Sequence, residues 1–324
     1  MFRIVVTLLF TLLSLSVVAS NQYSFTPKKV SKIEAIEVVK NIYVLHGINQ
    51  SPTPDNQGLI ANLGFIVGDL GVVVIKSGGS QRHANLLLKE IEKITPLPVI
   101  AVFNTHIHGD HWLGNNAIHK RYPEAKFYAN KKMVEQAQST IGDDWVTILN
   151  GLTNGALSET QPHPPTQSLS NNDIIVFGNV AVKILINEVA HTATDIIVSI
   201  KHELSKGAVF LGDISLHQRI GRMDDGNFEG NINALDMAIA LKADVYVPGH
   251  GPATQGILSA QLYREYLSTL YTETERLYEE GLTDFEIKEK ICPAFKRWEH
   301  WDGFGEAFGR QVSLIYLEIE EASF

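Results

Sequence analysis

The sequence predicts an α/β protein that ends in helices, and three observations carry that reading. Apolar, partly β-branched runs alternate with helix-spaced segments across residues 33–247. From Ala253 onward the spacing is helical throughout. Ahead of Ala253, four separated polar stretches, at His106–His111, His191, Asp213 and His250, each follow an apolar run, where a strand gives way to a loop.

The elements follow in order. Residues 21–32 are polar, carry Pro27 and read as an irregular arm. Residues 33–39 and 42–45 read as short strands, and 47–58, with Pro52 and Pro54, as a mobile loop. Residues 60–67 and 71–75 form a strand pair. Residues 80–94 carry Leu86, Leu87, Ile91 and Ile94 at helical spacing and are closed by Pro96 and Pro98. A buried strand is predicted over 99–103, helices over 116–121 and 131–140, and a short strand at 126–128. Residues 151–172, rich in Thr, Ser, Pro and Asn, form the least ordered interior stretch by composition. Strands are then predicted at 174–177, 180–186, 195–200, 207–211 and 245–247, with a helix at 232–241. Helices at 258–278, 284–291 and 305–319 complete the chain.

With 324 residues, 44% hydrophobic and 19% charged, the chain can bury a sizeable core. A net charge of −9 argues against a nucleic-acid-binding surface, which needs clustered Lys and Arg. The start has Arg3, an apolar run and small residues at Val18, Ala19 and Ser20, and reads as a signal peptide cleaved near Ser20. A periplasmic or secreted protein with no stable membrane span after cleavage follows as the expectation. The lone Cys292 forms no intramolecular disulfide.

The densest signal is Asn104-Thr-His-Ile-His-Gly-Asp-His-Trp-Leu-Gly-Asn115. His106, His108, Asp110 and His111 place three imidazoles and a carboxylate within six residues, just after the predicted strand 99–103. Imidazole and carboxylate are the ligands that zinc and similar borderline metals take. Alternation by two suits an extended loop rather than one helix face. His191, Asp213 and His250 likewise each follow an apolar run. One sheet rim can gather all seven.

These stretches, Thr-His-Ile-His-Gly-Asp-His, Ala-His191-Thr, Leu-Gly-Asp213 and Pro-Gly-His250-Gly, resemble the metallo-β-lactamase superfamily in order and spacing over about residues 30–255. The helical tail, with Trp298, Trp301 and Tyr316, resembles a periplasmic branch that includes quinoprotein-relay and sulfur-oxidation-cluster hydrolases. The resemblance implies an αββα metallo-β-lactamase sandwich in residues 21–255, with residues 256–324 as a C-terminal helical extension packed on it. It also implies two divalent metal ions, most often Zn2+, with iron or manganese as alternatives. His106, His108 and His191 would hold one, Asp110, His111 and His250 the other, and Asp213 would bridge them. The implied reaction is attack on a small-molecule ester, thioester, lactone or related bond by a water made acidic by both ions, with Asp110 as catalytic residue. An Asp at the bridging position resembles the thioesterase, lactonase and phosphodiesterase branches more than the β-lactamases. An iron-dependent redox enzyme of the same fold and a non-catalytic metal-binding protein are the competing classes.

One motif departs from the family pattern. Where Val-x-Asp-Thr/Ser-Gly is usual, the run is Val74-Ile-Lys-Ser-Gly78, so Lys76 stands in the place of Asp. A carboxylate can accept hydrogen bonds from metal ligands, whereas an ammonium only donates. Full metal loading is thereby in question. Around the site, His217, Arg219 and Arg222 read as a solvated loop, although residues 221–226 resemble an anion-binding stretch of hydroxyacylglutathione hydrolases. Trp112 reads as pocket lining or core, and Asn231 and Asn233 as capping or surface residues. His46, His83, His119, His163, His202 and His300 read as structural or surface.

Overall fold

A computed structural model describes residues 29–202 and 205–323. The expected signal segment, residues 1–20, lies outside the described residues. Seven strands form the first sheet: β1 (Ile36–Val39), β2 (Ile42–Leu45), β3 (Leu63–Val67), β4 (Val72–Ile75), β5 (Val99–Phe103), β6 (Lys126–Asn130) and β7 (Gln167–Leu169), lying side by side in chain order. Pairing is antiparallel from β1 to β4 and parallel from β4 to β7. The second sheet holds β8 (Ile174–Phe177), β9 (Val180–Leu185), β10 (Ile197–His202), β11 (Ser205–Phe210), β12 (Val245–Val247) and β13 (Thr254–Gln255), again in chain order. Only β11 and β12 pair in parallel there.

Strand β4 shows why the chain makes layers. All four of its residues are fully buried, because both faces of the strand are covered. Val73 and Ile75 meet Val198, Phe210 and Val247 of the second sheet. Val72 and Val74 point the other way, toward Ala84, Leu87 and Ile91 of α1 (Gln81–Ile94) and Ile118 of α2 (Asn115–Arg121). Beyond the second sheet, α5 (Phe228–Ile239), α6 (Leu258–Glu279), α7 (Asp284–Ile291) and α8 (Phe304–Ala322) cover Val209, Leu211 and Tyr246. The order of layers is therefore helix, sheet, sheet, helix, as anticipated, with the C-terminal helices packed on the outer face of the second sheet. No helix among the described residues is long and apolar enough to cross a membrane.

Local chemistry fixes the ends of these elements. Ser80 caps α1 by accepting from the His83 amide at 3.2 Å. Thr283 and Glu286 form a reciprocal capping box at the start of α7.

Three elements escape the sequence reading. α4 (Ile141–Leu152), which follows α3 (Lys131–Gln136), buries Leu149 but leaves Ile148 and Leu152 about half exposed, so its apolar residues do not mark one face. β7 pairs with β6 inside the stretch read as least ordered, and β13 is only two residues long. The loop 47–58 is also cross-linked rather than free. The Asn56 side chain accepts from the amides of Thr53 and Gly58 and donates to the Ser51 carbonyl.

Candidate metal centre

All seven sequence-predicted ligands meet at one rim of the sandwich, at or beyond the C-terminal ends of β5, β9, β11 and β12. They fall into two clusters. His106, His108, His191 and Asp213 offer ligand atoms within 4.8 Å of one another, and so do Asp110, His111 and His250. Asp213 joins the two. Its Oδ2 lies 3.3 Å from His250 Nε2 and 3.6 Å from His191 Nε2, and its Oδ1 lies 3.3 Å from His111 Nε2. Asp110 Oδ2 is 3.3 Å from both His111 Nε2 and His250 Nε2.

Backbone stitching brings these loops together. The Ile107 amide donates to Thr194 Oγ1 at 3.0 Å and the Ile196 amide to the Thr105 carbonyl at 2.9 Å, tying the His191 loop to the first motif. Trp112 is fully buried and donates from Nε1 to the Ile107 carbonyl at 2.8 Å, so it braces the metal loop from the core and does not line a pocket. Asn62 grips the other loop, donating to the carbonyls of Pro248 at 2.9 Å and Gly251 at 2.7 Å. Between them, a Cβ on Gly249 would overlap Asp213 Oδ1, so only glycine lets the His250 loop pass this close.

Outer partners orient several of the imidazoles. His108 Nε2 bonds Asp225 Oδ2 at 3.1 Å, turning Nδ1 inward, where it faces His191 Nε2 at 3.1 Å. His106 Nδ1 sits 3.2 Å from Thr105 Oγ1 and 4.0 Å from Asp195 Oδ1. His250 Nδ1 bonds the Ile60 carbonyl at 3.0 Å. Of the atoms that face inward, His106 Nε2, His111 Nε2 and Asp213 Oδ1 are buried and have no hydrogen-bond partner among the described residues. Convergent buried lone pairs without donors are costly unless a cation takes them. The donor set fits divalent metal ions.

The protonation states fit as well. Burial pushes His106 well below its ordinary range, lowers His111, and takes His191 down to about 3. Burial also acts on His108 and His250, but Asp225 and Asp213 outweigh it and raise both. Burial alone would raise Asp110 and Asp213, yet the imidazoles of His111 and His250 hold both carboxyls well below the usual range. The ionised carboxylates and the imidazoles of His106, His111 and His191 are in the state in which metals bind, whereas His108 and His250 would release a proton on binding.

Lys76 follows β4 and is 0% exposed, with its Nζ 3.5 Å from the Gly249 carbonyl. Its φ of +65° is left-handed, a conformation that costs a residue with a Cβ roughly 1–2 kcal/mol. Burial pulls its ammonium down to about 8, opposed by the charges of Asp213 and Asp110.

Several residues have roles that the sequence did not show. Asp195 accepts from the Thr192 amide at 2.6 Å, and burial raises its carboxyl to about 7. Its signal was the spacing His191-Thr-Ala-Thr-Asp195. Asp225 lies within the stretch read as a solvated loop and bonds His108. His217 is buried, with Nδ1 on the Pro252 carbonyl at 3.0 Å, and Arg219 donates to the Gln50 carbonyl at 2.7 Å. Both support loops. Arg222 is spent on Asp224, and Asn231 donates to the Ile214 carbonyl beside Asp213. His119 and His163 stack on each other at 4.1 Å, away from the centre.

The model of the Metallo-beta-lactamase superfamily matches residues 57–250, more than half of the chain. The chain belongs to that superfamily. It is 22% identical over 259 residues to a linear primary-alkylsulfatase of Pseudomonas sp. (strain ATCC 19151), covering 68% of this chain and 48% of that protein. It is 26% identical over 215 residues to a hydroxyacylglutathione hydrolase of Dictyostelium discoideum, covering 64% of this chain and 66% of that one. Among solved structures, a stereoselective inverting sec-alkylsulfatase from Pseudomonas sp. superposes with a TM-score of 0.65 at 16% identity, covering 88% of this chain and 50% of that one. The chain thus spans about half the length of the alkylsulfatases it matches.

Proposed function

We propose that this protein is a hydrolase whose seven convergent ligands hold two divalent cations, zinc foremost. The observation that carries this is the shared carboxylate: Asp213 reaches imidazoles of both clusters at 3.3–3.6 Å. Two such ions supply an acidified water at neutral pH and polarise the bond under attack. The chain's own residues then divide the work. His106, His108 and His191 fix one position, His111 and His250 the other, and Asp110, 3.3 Å from both of the latter, carries the proton toward the leaving group.

The substrate's body has a place beside His108. A cavity of about 350 Å³ there is lined by Ile107, Ile141, Trp145 and Ile148, together with the neutral polar Gln136, Thr192 and Thr194 and the acids Asp144 and Asp225, with no lysine or arginine among its described residues. Such a lining favours an apolar, uncharged acyl or alkyl group and repels a second anionic group. Esters, thioesters and lactones with neutral apolar chains are the proposed substrates. Export to the periplasm or medium is part of the same reading, and a mature protein that still begins at Met1 would contradict it.

Elemental analysis of natively purified protein, followed by turnover on ester, thioester, lactone, sulfate-ester, phosphodiester and β-lactam panels, tests the proposal. Bound zinc with turnover of neutral apolar esters supports it. Less than one metal ion per chain, with no turnover on any panel, sinks it.

A further inference from the structure

The two halves of the centre are built differently around their charges. Two histidines of the first cluster have a carboxylate nearby on their outer side: Asp225 bonds His108, and Asp195 lies 4.0 Å from His106. The second cluster has no such acid among the described residues. His250 rests on a backbone carbonyl, and His111 Nδ1, like His191 Nδ1 in the first cluster, is buried without an acceptor. What stands there is Lys76, fully buried, with one long hydrogen bond to Gly249. Its charge acts on Asp110, Asp213, His111 and His46. Its backbone is fastened behind the same residues, through its own amide to the Phe103 carbonyl at 2.9 Å and the Ser77 amide to the His111 carbonyl at 3.0 Å.

An ammonium in this place has two consequences. It supplies part of the positive charge that Asp110 and Asp213 would otherwise draw from a cation, and in a buried site that repulsion is poorly screened. It also gives His111 no acceptor. An imidazole that ligates through Nε2 carries its proton on Nδ1, and a second donor nearby cannot receive it.

Resting on the reading of this rim as a metal centre, we propose that Lys76 makes the two metal positions unequal. The His106–His108–His191 position fills first and tightly. The Asp110–His111–His250 position fills at least about tenfold more weakly, so that occupancy there follows the metal supply. The left-handed backbone at Lys76 agrees with a position held for its side chain, since strain of this kind gathers at functional sites.

Calorimetric titration of zinc into the chelator-stripped full chain, with elemental analysis after dialysis against buffered zinc, tests this without any substrate. The wild type is expected to show two separated binding steps. Lys76→Met removes the charge. Lys76→Asp, which suits a left-handed backbone better, also offers His111 an acceptor. Both variants should bring the second step to within about threefold of the first, with the larger gain for Asp. Circular dichroism checks that each variant is folded, and equal wild-type affinities would overturn the proposal even where neither variant folds. Two ions taken up by the wild type with equal affinity overturn the proposal and leave the proposed hydrolase standing. A gap that persists unchanged in folded variants also overturns it. No zinc uptake by wild type or variants fells both readings.

Discussion

The two ligand clusters share Asp213 and the same rim, yet they are supported in opposite ways. Behind the first cluster, the Asp225 carboxylate bonds His108, Thr105 Oγ1 meets His106, and the Asp195 carboxyl lies 4.0 Å from His106. Behind the second, support comes from backbone: the Ile60 carbonyl under His250, Asn62 clamping the Pro248–Gly251 turn, and Gly249 pressed against Asp213. The charged group there is a lysine. The contrast makes the surroundings of each candidate ligand, beyond its identity, the expected source of unequal affinity.

The largest effect should come from the residue both halves share. Asp213→Ala is expected to cut zinc content below one ion per chain and to lower turnover by roughly a thousandfold or more, because it removes a ligand from each position at once. Elemental analysis and rates on the best ester from the panel measure both. Turnover within about tenfold of wild type would mean that the clusters work independently. Next in size, Asp225→Ala should weaken the first position by about 10–100-fold by freeing the His108 ring, with little change at the second. Equal weakening of both positions would erase the contrast between them.

How much of this was legible in the chain follows from where the information resides. The seven candidate ligands could be read because their four stretches each follow an apolar run, and a strand end delivers the residues after it to a sheet rim. His191, Asp213 and His250 therefore found the His106 stretch from three other parts of the sequence. The supporting groups were not readable. Asp225 sits in a Gly- and Asp-rich loop whose composition says solvent, and only the fold lays it against His108 across 117 positions. His217 and Arg219 read as part of a solvated loop but are held by the carbonyls of Pro252 and Gln50, contacts between distant loops with no periodic trace. Lys76 was visible as a departure from a family pattern, but its complete burial and left-handed backbone were not. α4 went unread because part of its apolar surface faces outward beside the proposed substrate cavity.

A smaller effect tests the backbone support of the second half. Gly249→Ala sets a methyl against Asp213 Oδ1 and can be relieved only by moving the turn that Asn62 holds. Overpacking of this kind costs about 1–3 kcal/mol. Thermal unfolding should therefore fall by several degrees, and the second zinc step should weaken more than the first. An unchanged melting temperature would show that the turn yields freely.

The smallest effect is a matter of proton linkage, and it separates the lysine's field from burial in general. His46 and His83 are both buried imidazoles lowered to about 4, in each case by burial first. Lys76 lowers His46 further, whereas the secondary influences on His83 are the Gln57 carbonyl, Arg82 and Asp110. Geometry agrees for His46, whose Nε2 accepts from the Ala253 amide at 3.1 Å and so has no room for a second proton. The folded-state values lie below the unfolded value of 6.5, so the unfolded chain binds more protons between pH 6.5 and about 4. Stability is therefore lost as pH falls through that window, and it is retained above pH 6.5. Urea unfolding at matched metal load should show His46→Gln and His83→Gln each reducing the slope of stability against pH by about one proton. Lys76→Met should then raise the His46 titration, followed by NMR of the imidazole, and leave that of His83 in place. If both move together, the lysine acts through the packing of the whole rim; if only His46 moves, its positive charge is felt where the second cluster lies.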